Sequence, residues 1–401
     1  MTELGEIPSE WAISKIGELT EIKTGGTPST KCEKYWKDGD IPWMASGDVN
    51  KKIINEVDGR ITKSGMENSA AKLLPKDTVM IALNGQGKTK GTVAYLNIEL
   101  TCNQSLAGFL PSYNVFNSKY LYYNLQSRYF EIRGLAGDGA RNGLNLGLLR
   151  EILIPIPSIK EQEKIASILS TVDEQIDNVD ALIEKNKELK KGLMQTLLTK
   201  GIGHTKFKKT EIGEIPEEWD VKKLECVFEI LDSMRKPIKA SDREKIEGNI
   251  PYYGASGVID WINDYIFDEE LILLGEDGEN LNSRNSDLAF KISGKTWVNN
   301  HAHVFRVINK KECNIDFMVY YLEAKDYSIY IAGSAQPKIT QAQCRKFLLP
   351  LPEKQEQDKI ASILLESDKK IEEYENKKQK LEELKKGLMQ ELLTGMIRVT
   401  V

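Results

Sequence analysis

Three histidines and five cysteines among 401 residues leave this chain poor in metal ligands. Cys32, Cys102, Cys226, Cys313 and Cys344 are scattered, odd in number and never in CxxC spacing, which argues against a zinc module and suits reduced thiols. No apolar run is long enough to span a bilayer, so no membrane role is expected. The opening MTELGEIPSEW has no basic stretch followed by an apolar one, so no signal peptide is expected and the cytoplasm is the expected compartment. Positive charge is short as well. Fifty-five Lys and Arg face 60 Asp and Glu, a net charge of −5, and no segment is strongly basic. Such a chain should not hold nucleic acid tightly through phosphates unaided. No Pro-Pro pair occurs, which removes the Asn/Asp-Pro-Pro-aromatic motif by which adenine methyltransferases hold a flipped base. No Ser/His/Asp or Cys/His set stands out, so the sequence offers no enzyme.

What the chain does have is repetition. Glu161-Gln-Glu-Lys-Ile-Ala-Ser-Ile-Leu169 returns as Glu356-Gln-Asp-Lys-Ile-Ala-Ser-Ile-Leu364, and Leu189-Lys-Lys-Gly-Leu-Met-Gln195 returns as Leu384-Lys-Lys-Gly-Leu-Met-Gln390, both 195 residues on. Apolar residues recur at alternating threes and fours: Ile165, Leu169, Val172, Ile176, Val179, Ile183, Leu189, Leu193 and Leu197. The second copy places Ile360, Leu364, Ile371, Tyr374, Leu381, Leu384, Leu388 and Leu392 on the same stripe. That spacing predicts two long helices with a coiled-coil seam, each stripe the simplest partner for the other. Ser158-Ile-Lys-Glu161 reads as a capping box, and Gly201 and Gly395 fit the stop position. About forty residues at ~1.5 Å each make a rod of roughly 60 Å.

The repeat extends beyond the helices. Gly5-Glu-Ile-Pro-Ser-Glu-Trp11 recurs as Gly213-Glu-Ile-Pro-Glu-Glu-Trp219, and Pro155-Ile-Pro157 recurs as Pro350-Leu-Pro352 before the second helix. The plan is therefore domain 1–157, helix 158–200, domain 201–352 and helix 353–401. β-like runs are expected at Thr78–Leu83, Gly91–Leu96, Leu106–Leu110, Glu270–Gly275 and Ala302–Ile308, and helices at Ser118–Arg133 and Asp316–Tyr327. The expected class is α+β: two globular α/β domains joined by two long helices in an antiparallel coiled coil, with a pseudo-twofold internal repeat. Outside the repeated landmarks the two globular segments differ almost everywhere, which suggests similar domains selected for different targets.

Ala82-Leu-Asn-Gly-Gln-Gly-Lys-Thr89 satisfies a loose phosphate-loop pattern. A phosphate loop needs a following helix, and Lys90–Leu96 alternates like a strand, so a glycine-rich hairpin turn is expected. His301-Ala-His303 could offer two imidazoles on one strand face. With no further His or Cys nearby, a surface strand meeting a polar partner is expected instead of a metal. The polar, glycine-rich loops supply the side chains that read base edges: amides for adenine, Arg or Lys for guanine. The candidates are Thr24, Thr27, Asn84, Gln86, Lys88, Lys90, Asn103, Gln104, Arg141 and Asn142 in the first half. In the second they are Arg235, Lys236, Tyr252, Tyr253, Arg284, Asn300, His301, His303, Gln336 and Lys338.

The twice-repeated Gly-Glu-Ile-Pro-x-Glu-Trp, the Pro-x-Pro followed by Glu-Gln-x-Lys-Ile-Ala-Ser-Ile-Leu, and Leu-Lys-Lys-Gly-Leu-Met-Gln-x-Leu-Leu-Thr resemble the specificity (S) subunit of type I restriction–modification enzymes. Gly137-Asp-Gly-Ala-Arg-Asn-Gly-Leu-Asn145, just before the first long helix, strengthens the resemblance, which covers essentially the whole chain. It implies two target-recognition domains, each reading one half of a bipartite, gapped site on double-stranded DNA, with the helices fixing the spacer and docking the methyltransferase subunits. It also implies two methyltransferase subunits that use S-adenosylmethionine, with or without two restriction subunits that use ATP and Mg²⁺. The subunit itself would be non-catalytic and bind no cofactor. Two rival readings are a coiled-coil scaffold with two ligand-binding domains and no DNA role, and a nucleotide-binding enzyme built on Ala82–Thr89.

Overall fold

A computed structural model describes residues 6–85, 87–137, 143–331 and 337–400. The chain forms two compact units, Met1–Asp180 with Asn376–Val401, and Ala181–Glu375. Each unit holds a globular α/β part, the head of one long helix and the tail of the other.

In the first unit, strands Ile22–Thr24, Leu106–Phe109, Val79–Ala82, Val93–Leu96 and Ile53–Ile54 lie in that order in one sheet, with Val79–Ala82 antiparallel to both neighbours. That strand is buried on both faces, as a continuous apolar run requires. Val79–Ala82 and Val93–Leu96 are therefore the two arms of a β-hairpin, and among the described residues between them no helix N-terminus is available to face a phosphate. The expected helix over Ser118–Arg133 breaks at Arg128 into Ser118–Ser127 and Tyr129–Gly134. Arg128 leaves the helical conformation and donates to the Leu153 carbonyl at 2.6 Å.

The second unit carries two four-stranded sheets. One runs Phe228–Ile230, Ala302–Val307, Leu271–Gly275, Ala289–Ile292. The other runs Gly257–Ile262, Glu247–Gly254, Lys295–Val298, Phe267–Asp268. Helix Ile315–Ala324 packs on the first sheet and shares its core.

The repeated Pro-x-Pro segments are short strands. Leu153–Ile156 pairs antiparallel with Ala12–Lys15, and Leu348–Leu351 with Asp220–Lys223, so Ile13 faces Pro155 and Val221 faces Pro350. Proline is tolerated there because each pair has only two strands and leaves an outer edge unpaired.

The long helices run Ile159–Lys200 and Lys354–Thr394, 42 and 41 residues. In the first unit Asp173 pairs with Lys385 and Asp180 with Lys378. In the second, Lys187 pairs with Glu375 and Lys190 with Asp368. Partner numbers fall as the first helix advances, so the helices are antiparallel in each unit. The seam is shorter than the stripe predicts. Ile165 through Ile183 are buried as expected, but Leu189 and Leu384 are 57% and 51% exposed. They occupy the same place in the repeat, and ion pairs replace apolar packing beside them. The expected capping box is only half formed as well. Ser158 Oγ accepts from the Glu161 N–H at 3.3 Å, while the Glu161 carboxylate is taken elsewhere.

Both helices end where glycine is required. Gly201 and Gly395 have φ of +63° and +74°, a left-handed region that disfavours a Cβ by about 1–2 kcal/mol. A Cβ at Gly201 would also meet Glu356 Oε1 at 2.4 Å and Trp219 at 2.7 Å. Gly192, mid-helix, has nothing within 4 Å of its would-be Cβ. Gly201→Ala is expected to lower the urea midpoint of unfolding by at least the equivalent of about 1 kcal/mol, and Gly192→Ala to raise it by about 0.5–1 kcal/mol. Equal effects of the two substitutions would contradict the stop geometry.

Candidate nucleic-acid interface

Candidate reading loops need a rigid mount, and each unit has one made of the same repeated residues. In the first, Glu161 accepts from Trp11 Nε1 at 3.3 Å and from Arg398 Nε at 2.7 Å. In the second, Glu356 accepts from Trp219 Nε1 at 2.9 Å and from the Ile202 N–H at 2.8 Å, and its Oε1 lies 2.9 Å from His204 Nε2. Arg398 and His204 each stand three residues after a helix-stopping glycine, so both clasps have the same parts. The next residue of each motif is a buried glutamine. Gln162 accepts from the Asn117 N–H and donates to the Pro157 carbonyl, while Gln357 does the same with Asn314 and Pro352. Asn117 and Asn314 cap helices Ser118–Ser127 and Ile315–Ala324, so each glutamine ties a long helix to the helix of its own globular part. A third tie follows along the helix. The Tyr123 hydroxyl donates to Asp173, which also pairs with Lys385; the Tyr320 hydroxyl donates to Asp368, which also pairs with Lys190.

The loops on these mounts differ. In the first unit, Thr27 Oγ1 lies 2.6 Å from Gln104 Oε1, and Asn103 Oδ1 accepts from the Ser105 N–H. The Leu83 N–H bonds the Ser105 carbonyl, which brings Asn84 and its hairpin alongside. Lys88 and Lys90 stand on that hairpin, whose backbone is held from behind by the Tyr129 hydroxyl and Arg133. Thr27, Asn84, Lys88 and Gln104 are exposed, Lys90 and Asn103 half-buried, and Thr24 is half-buried in the sheet opposite Ala107. Gln86, Arg141, Asn142 and Gln336 lie outside the described residues.

In the second unit the candidate cations hold carboxylates. Arg235 donates to Glu276 Oε2 at 2.5 Å and to the Ala302 carbonyl, and Lys338 pairs with Glu276 Oε1 at 3.0 Å. His301 meets Asp277 and His303 meets Asp232, so the two imidazoles do not share a ligand position. Lys236, Tyr252, Tyr253 and Asn300 gather around the parallel pair Glu247–Gly254 and Lys295–Val298. Arg284 belongs to another set, bonded to the Glu323 carbonyl. Two expectations fail on burial. His303 sits in the core, not on a surface strand, because its strand is covered on both faces. Tyr252 is buried too, its hydroxyl accepting from the Ile238 N–H. Neither can reach a base edge. Among the chosen residues of this unit, Lys236, Arg284, Asn300, His301 and Lys338 remain exposed, Arg284 apart from the others.

Phe130 was not among the sequence candidates, yet it is 85% exposed beside Tyr129. A continuous helix to Arg133 hides it in an apolar stripe; the break at Arg128 turns it out. The Trp261 and Ile259 side chains on strand Gly257–Ile262 are likewise exposed.

The protonation of His303 follows from its neighbours. Nδ1 lies 2.7 Å from an Asp232 oxygen and Nε2 lies 2.9 Å from the Ile339 carbonyl. Two acceptors require two N–H groups, hence an imidazolium. Burial opposes that charge, but the bonds to Asp232 and Cys344 outweigh it and raise the pKa to about 10. For Asp232 and Glu276 burial works upward, and the bonds from His303, and from Arg235 and Lys338, hold them below the usual carboxylate range. A histidine with a raised pKa stabilises fully below its unfolded value of about 6.5, and that contribution fades as pH rises toward 10. His303→Leu is therefore expected to destabilise the chain most near pH 6, with a gap in urea midpoint that narrows by pH 9–10. A gap that widens with pH would mean a neutral imidazole.

The model of the type I restriction modification DNA specificity domain matches residues 8–190 and 216–383. Specificity subunits of the type I restriction enzymes MjaIX and MjaVIII of Methanocaldococcus jannaschii are 26% and 28% identical to this chain. The alignments cover 99% and 98% of this chain and 96% and 94% of theirs. The EcoR124I/EcoR124II specificity subunit of Escherichia coli is 28% identical over 46% of each chain. Among solved structures, the type I restriction–modification S subunit from M. genitalium superimposes with a TM-score of 0.63 at 19% identity, over 98% of both chains. Among the described residues no helix is long and apolar enough to cross a membrane. With two matched domains that together take up most of its length, the chain belongs to the type I restriction–modification DNA specificity family.

Proposed function

We propose that this chain is the sequence-reading subunit of a type I restriction–modification complex, each globular part reading one half of a gapped site on double-stranded DNA. The observation that carries this is the pairing of identical mounts with unlike loops. The Trp–Glu bond, the glutamine tie and the Tyr–Asp–Lys tie recur on matching residues, while what they hold differs. A protein that must present two different readers in one fixed way would be built so. The relatives named above as specificity subunits support the same reading.

On this reading the chain is non-catalytic, binds no cofactor and works in the cytoplasm. Two methyltransferase subunits bring S-adenosylmethionine and methylate adenine, with or without two restriction subunits that use ATP and Mg²⁺. In the first unit Thr27, Asn84, Lys88, Lys90, Asn103 and Gln104 line the reading edge, with Phe130 beside them; in the second the edge is Lys236, Asn300, His301 and Lys338. Arg235 and His303 serve as the cationic frame of the second unit and do not touch bases. The helices set the spacer: at ~1.5 Å per residue each exceeds one DNA turn of about 34–36 Å.

The test is to co-express the chain with the methyltransferase of its own system and map methylated adenines on genomic DNA by single-molecule sequencing. A bipartite, gapped motif is expected; a purified complex that methylates with no motif would favour a scaffold role. Inserting one heptad into both long helices should lengthen the gap, by up to about three base pairs from the added axial rise. An unchanged gap would remove the helices as spacer. Gln104→Ala should relax one half of the motif, a lost amide contact being worth about 1–3 kcal/mol of discrimination, and leave the other half intact. Changes in both halves would place Gln104 in the frame, not the reader.

A further inference from the structure

Of the three imidazoles in the chain, two have both ring nitrogens engaged. His204 Nδ1 lies 3.4 Å from Glu218 and its Nε2 lies 2.9 Å from Glu356, while His303 bonds Asp232 and the Ile339 carbonyl. His301 is placed differently. Its Nδ1 lies 2.9 and 3.0 Å from the two Asp277 carboxylate oxygens. Its Nε2 has no partner among the described residues, and the side chain is 48% exposed. We propose that Asp277 sets His301 as a hydrogen-bond acceptor that reads one exocyclic amino group, adenine N6 or cytosine N4, in the major groove of the second unit's half-site. This rests on the reading role proposed above and names the chemistry that one position of that half-site must carry.

The place of the proton gives the direction of the bond. An ionised carboxylate only accepts, so the nitrogen facing Asp277 holds the hydrogen, and the neutral ring then presents Nε2 outward as a bare lone pair. In the major groove an acceptor is matched by the amino groups of adenine and cytosine, and opposed by guanine O6, thymine O4 and purine N7. Rigidity gives the reason to look outward. The His301 N–H donates to Asn299 Oδ1 at 2.8 Å, and the His301 carbonyl accepts from the Glu276 N–H at 2.8 Å. Residues 276–278 are gripped on their other side too: the Glu276 carbonyl accepts from the Ile339 N–H, and the Gly278 N–H donates to the Pro337 carbonyl, with Asp277 opposite Lys338. The Asp277 side chain is only 14% exposed, so the carboxylate belongs to the frame and the imidazole stands out from it. A surface ion pair adds little to stability. Holding a half-exposed ring this firmly is instead useful for binding, where a side chain already in place loses little entropy when it meets its partner. Neighbouring charges leave the outer nitrogen alone. Glu276 holds Arg235 and Lys338, and Asp232 holds His303. Asp277 is thus a positioning residue, and His301 the reader.

The test uses the complete complex with its methyltransferase and the motif found by mapping methylated adenines. Duplexes carrying that motif are made with one amino group deleted at a time, purine replacing adenine and 2-pyrimidinone replacing cytosine, and their binding is titrated. One deletion should weaken the wild-type complex about two- to tenfold, the worth of one neutral hydrogen bond, and have no effect on the His301→Ala complex. Comparing the two proteins cancels what the deletion does to base pairing itself, and the base that shows the coupling tells adenine from cytosine. His301→Ala should still select the other half of the motif, which shows that the protein is folded. In Asp277→Asn the amide can either accept from Nδ1 or donate to it, so Nε2 can also become a donor. That variant should methylate sites with guanine at the same position, and Asp277→Glu should restore the original choice. A merely structural carboxylate would weaken every position alike. The proposal is overturned if no amino deletion is coupled to His301, or if the coupled position is a guanine read through N7, which would make the ring a donor. A wild-type complex that methylates without any motif sinks the reading role and this inference together, whereas a motif that His301→Ala leaves unchanged sinks this inference alone.

Discussion

One carboxylate at the head of each long helix holds its unit together. Glu161 is buried, and a buried carboxylate without partners is unfavourable by several kcal/mol, so the fold must bring it donors. They come from far away in sequence: the Trp11 indole and the Arg398 guanidinium. Glu356 is served likewise by Trp219, His204 and the Ile202 N–H. In each case one donor comes from the segment opening a globular part, and another from just beyond the end of the other long helix. That arrangement needs antiparallel helices, because only then does the tail of one lie at the head of the other. It also needs Gly201 and Gly395, since a Cβ at Gly201 would strike Glu356, Trp219 and His204, and one at Gly395 would strike Pro8 and crowd Trp11. Three repeated motifs thus form a single device.

This device explains how unlike loops are carried on like supports. From each helix head the chain is tied again by glutamine to a helix cap and by the Tyr–Asp–Lys set further along, so the globular part is fixed before its variable sheets begin. Above these ties the first unit builds a five-stranded sheet and a glycine-rich hairpin, while the second builds two four-stranded sheets and a cluster of buried charges. The cluster around Asp232, Glu276, Arg235 and His303 is where that unit differs most in physical character. A fully bonded set of buried charges contributes little net stability, but removing one member leaves the others unpaired. It holds Lys338 through Glu276, whose backbone N–H also bonds the His301 carbonyl.

Much of this was legible in the sequence. The long helices, their glycine stops, the strand at Thr78–Leu83 and the hairpin over Ala82–Leu96 follow from periodicity and turn chemistry, which are local. What was not legible is whatever depends on a partner distant in the chain. Glu161 looked like half of a capping box because its use by Trp11 and Arg398 cannot be read from spacing. Leu189 and Leu384 continued the apolar stripe, but helix pairing there is ionic and leaves both outside. His303 and Tyr252 looked like surface readers because alternation along a strand does not say whether its second face is also covered. Phe130 was lost in the opposite way, through a one-residue break at Arg128, whose side chain bonds the distant Leu153 carbonyl.

The charge distribution bears on how such a protein could select DNA at all. Fifty-five basic residues meet 60 acidic ones, and many of the basic ones are already committed: Arg243 to Asp260, Arg306 to Glu269 and Glu229, Arg235 to Glu276. Each committed cation is one fewer available to displace counterions from the duplex, which is the main source of sequence-independent affinity. A chain of this kind can contribute discrimination through its exposed amides and few free lysines while supplying little of the attraction. Discrimination without attraction works only if another body closes around the DNA, and the proposed methyltransferase partners would be that body. The division has a physical advantage. A strongly basic reader would dwell on every sequence, whereas a nearly neutral one loses little by leaving a wrong site, so the contrast between right and wrong sites rests on base contacts alone.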